Sequence, residues 1–307
     1  MTCVLFYHFP GSPGNGIYIY GNLDDRSPMR YRRGVFVNKI MILRRLFLAS
    51  LLLFSTGCAA PSRPILADLP TGSLIDLTYS FGSDTIYWPT EEGFVLEKGP
   101  AGKTKKGYYY SANRMRLAEH GGTHLDAPIH FHADRNTVDQ IPVQQLIGEG
   151  MVLNISWKCR TNRDYQVRVD DILEWEDQNG PLPPDVILLI RTDYGKEWPD
   201  RLKYLGTDLR GEKAVADLHF PGLDPDAARW LTTQRKIKAI GIDTPSIDYG
   251  QSTQFQSHVR LFEKNIPALE NIANLHLLPP KGFSVIALPM KIREGSGAPL
   301  RIVAILQ

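Results

Sequence analysis

Residues 119–132 read Glu119-His120-Gly121-Gly122-Thr123-His124-Leu125-Asp126-Ala127-Pro128-Ile129-His130-Phe131-His132, and they hold four of the eight histidines of the 307-residue chain. His120 and His124, four apart, would share a face of an α-helix, but Gly121-Gly122 and Pro128 disfavour one. A metalloprotease helix would also carry a glutamate directly after its first histidine, and glycine stands there. In an extended segment, residues of equal parity face the same way. His120, His124, Asp126 and His130 are all even-numbered, so a Gly-kinked strand presents two imidazoles and a carboxylate to one point, with a third imidazole close by. Two imidazoles and a carboxylate half-fill the coordination sphere of one divalent ion, zinc or manganese, and leave room for water. For a single histidine a buried polar cluster or a solvated loop is the plainer reading. The HxxxHxD spacing with another histidine four residues on favours metal.

On either side of this stretch, short β-type runs recur at 74–77, 151–155, 186–190, 239–242, 283–289 and 300–305, with helical patterns at 169–176, 224–234 and 267–274. DVILLI and FSVIALP are apolar on both faces, as in a sheet covered by other layers. Pro267 suits the first turn of its expected helix, where no intrahelical donor is lost. The class is α/β with a mixed sheet.

Composition excludes other classes. At 43 % hydrophobic and 22 % charged the chain folds, and 35 basic against 33 acidic residues argue against a nucleic-acid binder. Cys3, Cys58 and Cys159 cannot staple a disulfide scaffold, and no CxxC pair suggests a zinc finger. From Met41, Arg44 and Arg45 precede an apolar run at 46–54 and a small-residue ending at Cys58, the order of a secretory signal. Ser55-Thr56-Gly57-Cys58 resembles a bacterial lipoprotein box, with Ser where Leu is usual. The expected organisation is a spurious upstream extension (1–40) that is not made in the cell, with translation starting at Met41, then a lipoprotein-type signal (41–57), a tether (58–73) and a folded domain (74–307). Lipidated Cys58 would then anchor an exported protein on the periplasmic side, in the outer membrane, with no other membrane contact.

HGGTHLDAPIHF resembles the HxGTHxDxPxHF signature of the cyclase family of metal-dependent hydrolases, which includes kynurenine formamidases and isatin hydrolases. Tyr87-Trp88-Pro89, Phe220-Pro221-Gly222-Leu223 and the 241–248 segment GIDTPSID match as well, so the resemblance spans roughly 75–306. It implies a swivelling β/β/α domain assembled as a homo-oligomer. By position, His120, His124 and Asp126 resemble the first metal ligands and His130 the catalytic acid/base. His258 and Glu270, twelve residues apart, resemble the pair that completes a two-metal site, so one or two ions are implied. On their own these two residues read as a surface histidine and a first-turn helix glutamate.

The resemblance implies hydrolysis of a cyclic amide or N-acyl arylamine by metal-activated water, with a small aromatic amide as substrate. No GxSxG elbow supports a serine nucleophile, and Cys159 reads as a small core residue. Trp88, Tyr108, Tyr109 and Tyr110 are aromatic candidates for stacking on that substrate, and Lys103, Lys105 and Lys106 could attract an acidic one. The alternative is a lipoprotein that binds a ligand through metal without turning it over. A cyclase of polyketide assembly is disfavoured, because export removes it from cytoplasmic substrates.

Overall fold

The computed structural model describes residues 74–306, so the leader, Cys3, Cys58 and the tether lie outside the described residues. Eight strands make one mixed sheet: β1 (Leu74–Asp76), β2 (His124–Asp126), β3 (Ile147–Asn154), β4 (Ile187–Arg191), β5 (Ala239–Ile242), β6 (Ala268–Glu270), β7 (Phe283–Pro289) and β8 (Gly297–Leu306). Their order is β1-β8-β7-β3-β4-β5-β6-β2, and β2 pairs in turn with β8, which closes a barrel-like ring. Strands β3, β4, β5 and β6 run parallel to one another, while every pairing made by β1, β2, β7 and β8 is antiparallel. This is the expected mixed α/β architecture.

Strand alternation builds two cores. Val152, Ile187, Leu189, Leu269 and Leu125 face one cluster, which also holds Phe283, Val285, Ile302 and Ala304 from the antiparallel strands. Met151, Leu153, Leu188, Ile190, Ile240, Ile242 and Ala268 face the other, against helices Val169–Asn179, Pro225–Trp230 and Gln256–Phe262. Both faces of the parallel strands are therefore buried, which is why DVILLI shows no polar alternation. The expected helix at 224–234 begins with Asp224 accepting from the Asp226 and Ala227 amides and Pro225 at its first position, and it ends in a π-helical turn at Leu231–Arg235.

The expected helix at 267–274 does not form. Ala268–Glu270 is a strand, wedged between β5 and β2. The amides of Asn271 and Ile272 then donate to the carbonyls of Thr244 and Ile242. Strand pairing on both sides overrides the local helical pattern.

Residues 94–116 form a protruding arm of two short hairpin ladders, Val95–Glu97 with Arg114–Arg116 and Ala101–Lys103 with Tyr109–Ser111. Tyr108, Tyr109 and Tyr110 are exposed on it, together with Lys103, Lys105 and Lys106.

Candidate metal centre

Within β2, Leu125 points into the barrel core, so His124 and Asp126 point to the opposite face, toward helix Gln256–Phe262. Register sets their neighbours: Glu270 lies opposite His124 and Ala268 opposite Asp126 on β6, while Gly297 faces Asp126 on β8. His258 comes from the buried side of helix Gln256–Phe262. Parity thus accounts for His124 and Asp126 only. His120 enters through the Gly121-Gly122 kink, where Gly122 has φ +57° and a Cβ on Gly121 would stand 2.0 Å from the Tyr87 ring. His130 sits in a 3-10 turn, Pro128–His130, that Pro128 opens.

Two donor groups result, His120–His124–Asp126 and Asp126–His258–Glu270, each with its ligating atoms within 4.8 Å of one another. Asp126 belongs to both. Its Oδ1 lies 2.6 Å from His120 Nδ1 and 3.0 Å from His124 Nε2, and its Oδ2 lies 3.2 Å from His258 Nε2. Glu270 Oε1 is 3.1 Å from His258 Nε2 and Oε2 is 3.5 Å from His124 Nε2. One carboxylate can therefore serve a metal on each side. His258 and Glu270 are 2 % and 3 % exposed, so the surface histidine and first-turn glutamate read from the bare sequence are both corrected.

The remaining ring nitrogens are held from behind. His124 Nδ1 is 3.0 Å from the Gly122 carbonyl, and His258 Nδ1 is 2.6 Å from Asp248 Oδ2. His120 Nε2 meets Ser296 Oγ at 2.9 Å, and that hydroxyl donates to Glu119 at 2.6 Å. Each contact orients the opposite nitrogen toward the donor cluster, as metal-binding imidazoles require. Asp248, Ser296 and Glu119 carry no spacing signal in the sequence. Only folding brings them to the rings they hold.

The charges fit a divalent cation. Burial raises Glu270, and the nearby Asp126 carboxylate adds to that; Asp126 itself is opposed by burial but held well below the usual range by His120 and His124. Burial alone would lower His124, yet Asp126 and Glu270 lift it to about 9, and the carboxylates likewise raise His258. Without metal, protons on the imidazoles balance the buried carboxylates; a divalent ion would displace them.

His130 belongs to neither donor group. Its ring stacks on His120 with centroids 3.8 Å apart. Burial drives its pKa down to about 4, the Asp126 carboxylate countering only in part. It is therefore neutral at pH 7, able to accept a proton first and return it later.

Above the cluster lies a cavity of about 220 Å³, room for a compact ligand only. Ile86, Tyr87, Trp88, Phe131, Pro245 and Phe255 make its apolar walls, and among the described residues no Lys or Arg lines it. Trp88 packs edge-on against Phe220 and Phe255, and Phe131 stacks on His258 at 4.6 Å. Of the aromatic candidates, Trp88 reaches this wall, whereas Tyr108, Tyr109 and Tyr110 stand on the arm and do not line it.

A family model described as "Putative cyclase" matches residues 75–249. Isatin hydrolase from Roseibium aggregatum is 33 % identical over 208 residues, 65 % of this chain and 76 % of its own length. Kynurenine formamidase from Bacillus mycoides is 26 % identical over 242 residues, 76 % of this chain and 98 % of that protein. The crystal structure of an isatin hydrolase bound to the product analogue thioisatinate aligns with a TM-score of 0.68 at 28 % identity, covering 85 % of this chain and 98 % of that one.

Proposed function

The chain belongs to the cyclase family of metal-dependent hydrolases, and from that premise we propose that it opens a compact, neutral aromatic lactam of the isatin type by hydrolysis of its amide bond. The observation that carries this reading is the cavity: two donor groups share Asp126 at the base of aromatic walls in which no described Lys or Arg stands. A free carboxylate on the substrate would find no Lys or Arg partner in the described walls and would be desolvated there. A flat uncharged ring gains from stacking on Trp88 and Phe255.

His120, His124, Asp126, His258 and Glu270 would hold one or two divalent ions, zinc or manganese. Such an ion would polarise the amide carbonyl and acidify water. The chain's own residues supply the rest. Trp88, Phe131 and Phe255 orient the ring and exclude bulk water. His130, neutral at rest, accepts a proton from the water as it adds, and returns that proton to the amide nitrogen as the C–N bond breaks. The product is one molecule that carries a free arylamine and a new carboxylate, an α-keto carboxylate in the case of isatin itself, and the second proton of the added water leaves to solvent. Asp248 holds His258 Nδ1 throughout, so that Nε2 stays directed at the donor cluster.

Hydrolysis of an N-formyl arylamine with an amino-acid side chain is the second reading. Glu91 favours it, since an exposed carboxylate lining the cavity can pair with a substrate ammonium. A purely ligand-binding role has no support among the relatives, which are hydrolases by name. The export and lipid anchoring expected from the leader are proposed on the sequence alone, as is the homo-oligomer. Elemental analysis of the purified protein with an absorbance assay on isatin and N-formylkynurenine tests the proposal. Metal-dependent loss of isatin supports it; turnover of the formamide alone replaces it with the second reading.

A further inference from the structure

Asn271 directly follows Glu270 at the end of β6, and it is 2 % exposed. Its φ of +53° lies in the left-handed region, which asparagine adopts more readily than most residues. Asn271 Nδ2 donates to the Gly122 carbonyl at 2.8 Å, the same oxygen that His124 Nδ1 meets at 3.0 Å. On its other side, Asn271 Oδ1 accepts from the Tyr204 hydroxyl at 2.9 Å. Tyr204 is fully buried in helix Arg201–Leu205, and its hydroxyl also lies 3.1 Å from the Asp243 carbonyl. The Asn271 backbone is tied as well: its amide donates to Thr244, and its carbonyl accepts from Thr123 Oγ1 at 2.7 Å. Neither Asn271 nor Tyr204 belongs to a donor group.

The Gly122 carbonyl follows a Gly-Gly pair, which many backbone conformations suit, so something outside the pair must select one. That oxygen has two lone pairs, and two donors converge on it. Turning the Asn271 amide over would set Oδ1 against the Gly122 oxygen, acceptor against acceptor. His124 Nδ1 also lies 3.5 Å from Asn271 Nδ2, too long to compete with the two contacts to the carbonyl. We infer that Asn271, held by Tyr204, is a positioning residue for the metal centre: it fixes the Gly122 carbonyl, which keeps a proton on His124 Nδ1 and turns Nε2 toward the donor groups. This rests on the metal-dependent reading above. It extends the support of His124 to a buried pair of residues on two other elements.

Asn271→Gly keeps the left-handed backbone without strain and removes the amide. Tyr204→Phe keeps the ring in the core and removes only the hydroxyl. The readout is zinc affinity, measured by chelator competition with no substrate present. Loss of a group that supports a metal-binding histidine costs about 10–100-fold, so Asn271→Gly should weaken zinc by that factor and Tyr204→Phe by less. Because Tyr204 acts through Asn271, the double variant should bind zinc no more weakly than Asn271→Gly alone. Two independent contributions to the fold would give additive losses, and that result overturns the inference. Unchanged zinc affinity in Asn271→Gly overturns it too. If Asn271→Gly fails to fold, Tyr204→Phe decides with cobalt(II) in place of zinc: shifted visible absorption bands support the inference, and bands identical to the parent's overturn it. A parent that binds no zinc or cobalt overturns the metal-dependent reading and this inference together, whereas a metal-binding parent with an equally tight Asn271→Gly variant overturns this inference alone.

Discussion

Asp126→Asn tests the central geometric claim, that one carboxylate joins two metal sites. Its Oδ1 faces His120 and His124, and its Oδ2 faces His258. Each donor group has three members, so the substitution removes the charge of one ligand in three from both at once. Loss of a group that merely supports a ligand already costs about 10–100-fold in metal affinity, or about 1.4–2.7 kcal/mol. A ligand shared by two sites should cost at least that at each, so double occupancy should weaken by about 10²–10⁴-fold or more. His258→Ala, by contrast, touches only the group containing Glu270. Both variants are dialysed against a graded series of chelator concentrations, and bound metal is counted by elemental analysis. Asp126→Asn should empty both sites at chelator levels that leave His258→Ala with about one equivalent. If Asp126→Asn retains as much metal as His258→Ala, the shared-carboxylate reading is wrong.

His130→Ala should leave metal content intact, because the ring lies outside both donor groups, while turnover falls by about 10²–10⁴-fold through loss of proton transfer; metal loss would make it a ligand, and unchanged turnover a bystander. Since burial holds His130 down to about 4, its competent neutral form persists well below the ordinary histidine range. The acid limb of kcat/KM should therefore be lost as pH falls through about 4, or lower with metal bound, and a limb near 6.5 at constant metal content refutes this assignment. Mass spectrometry of the exported protein should find a lipid-modified terminus at Cys58, and an intact terminus at Met1 or Met41 would remove the lipoprotein proposal.

Much of the centre was legible before folding. His124 and Asp126 are two apart in an extended run, and period 2 alone puts them on one face. Pro128 spoke against a helix through this stretch, and the apolar run at 186–190 marked a strand buried in layers; the run at 283–289 is also a strand, but it buries one face only, with Leu288 exposed on the other. These are local properties, carried by backbone sterics and side-chain alternation over a few residues. Glu270 was legible by resemblance but not by physics. Its neighbourhood has a helical pattern, and it became a strand because β5 and β2 offered backbone partners on both sides. That same register puts its carboxylate beside His124. Asp248 behind His258, the Ser296–Glu119 pair behind His120, and the Asn271 amide behind the Gly122 carbonyl have no sequence period at all. His120 and Ser296 lie 176 residues apart along the chain and 2.9 Å apart at their polar atoms. Contacts of that range depend on how the closed sheet brings β8 against β2, a choice made by the burial of the whole barrel core and not by any segment within it.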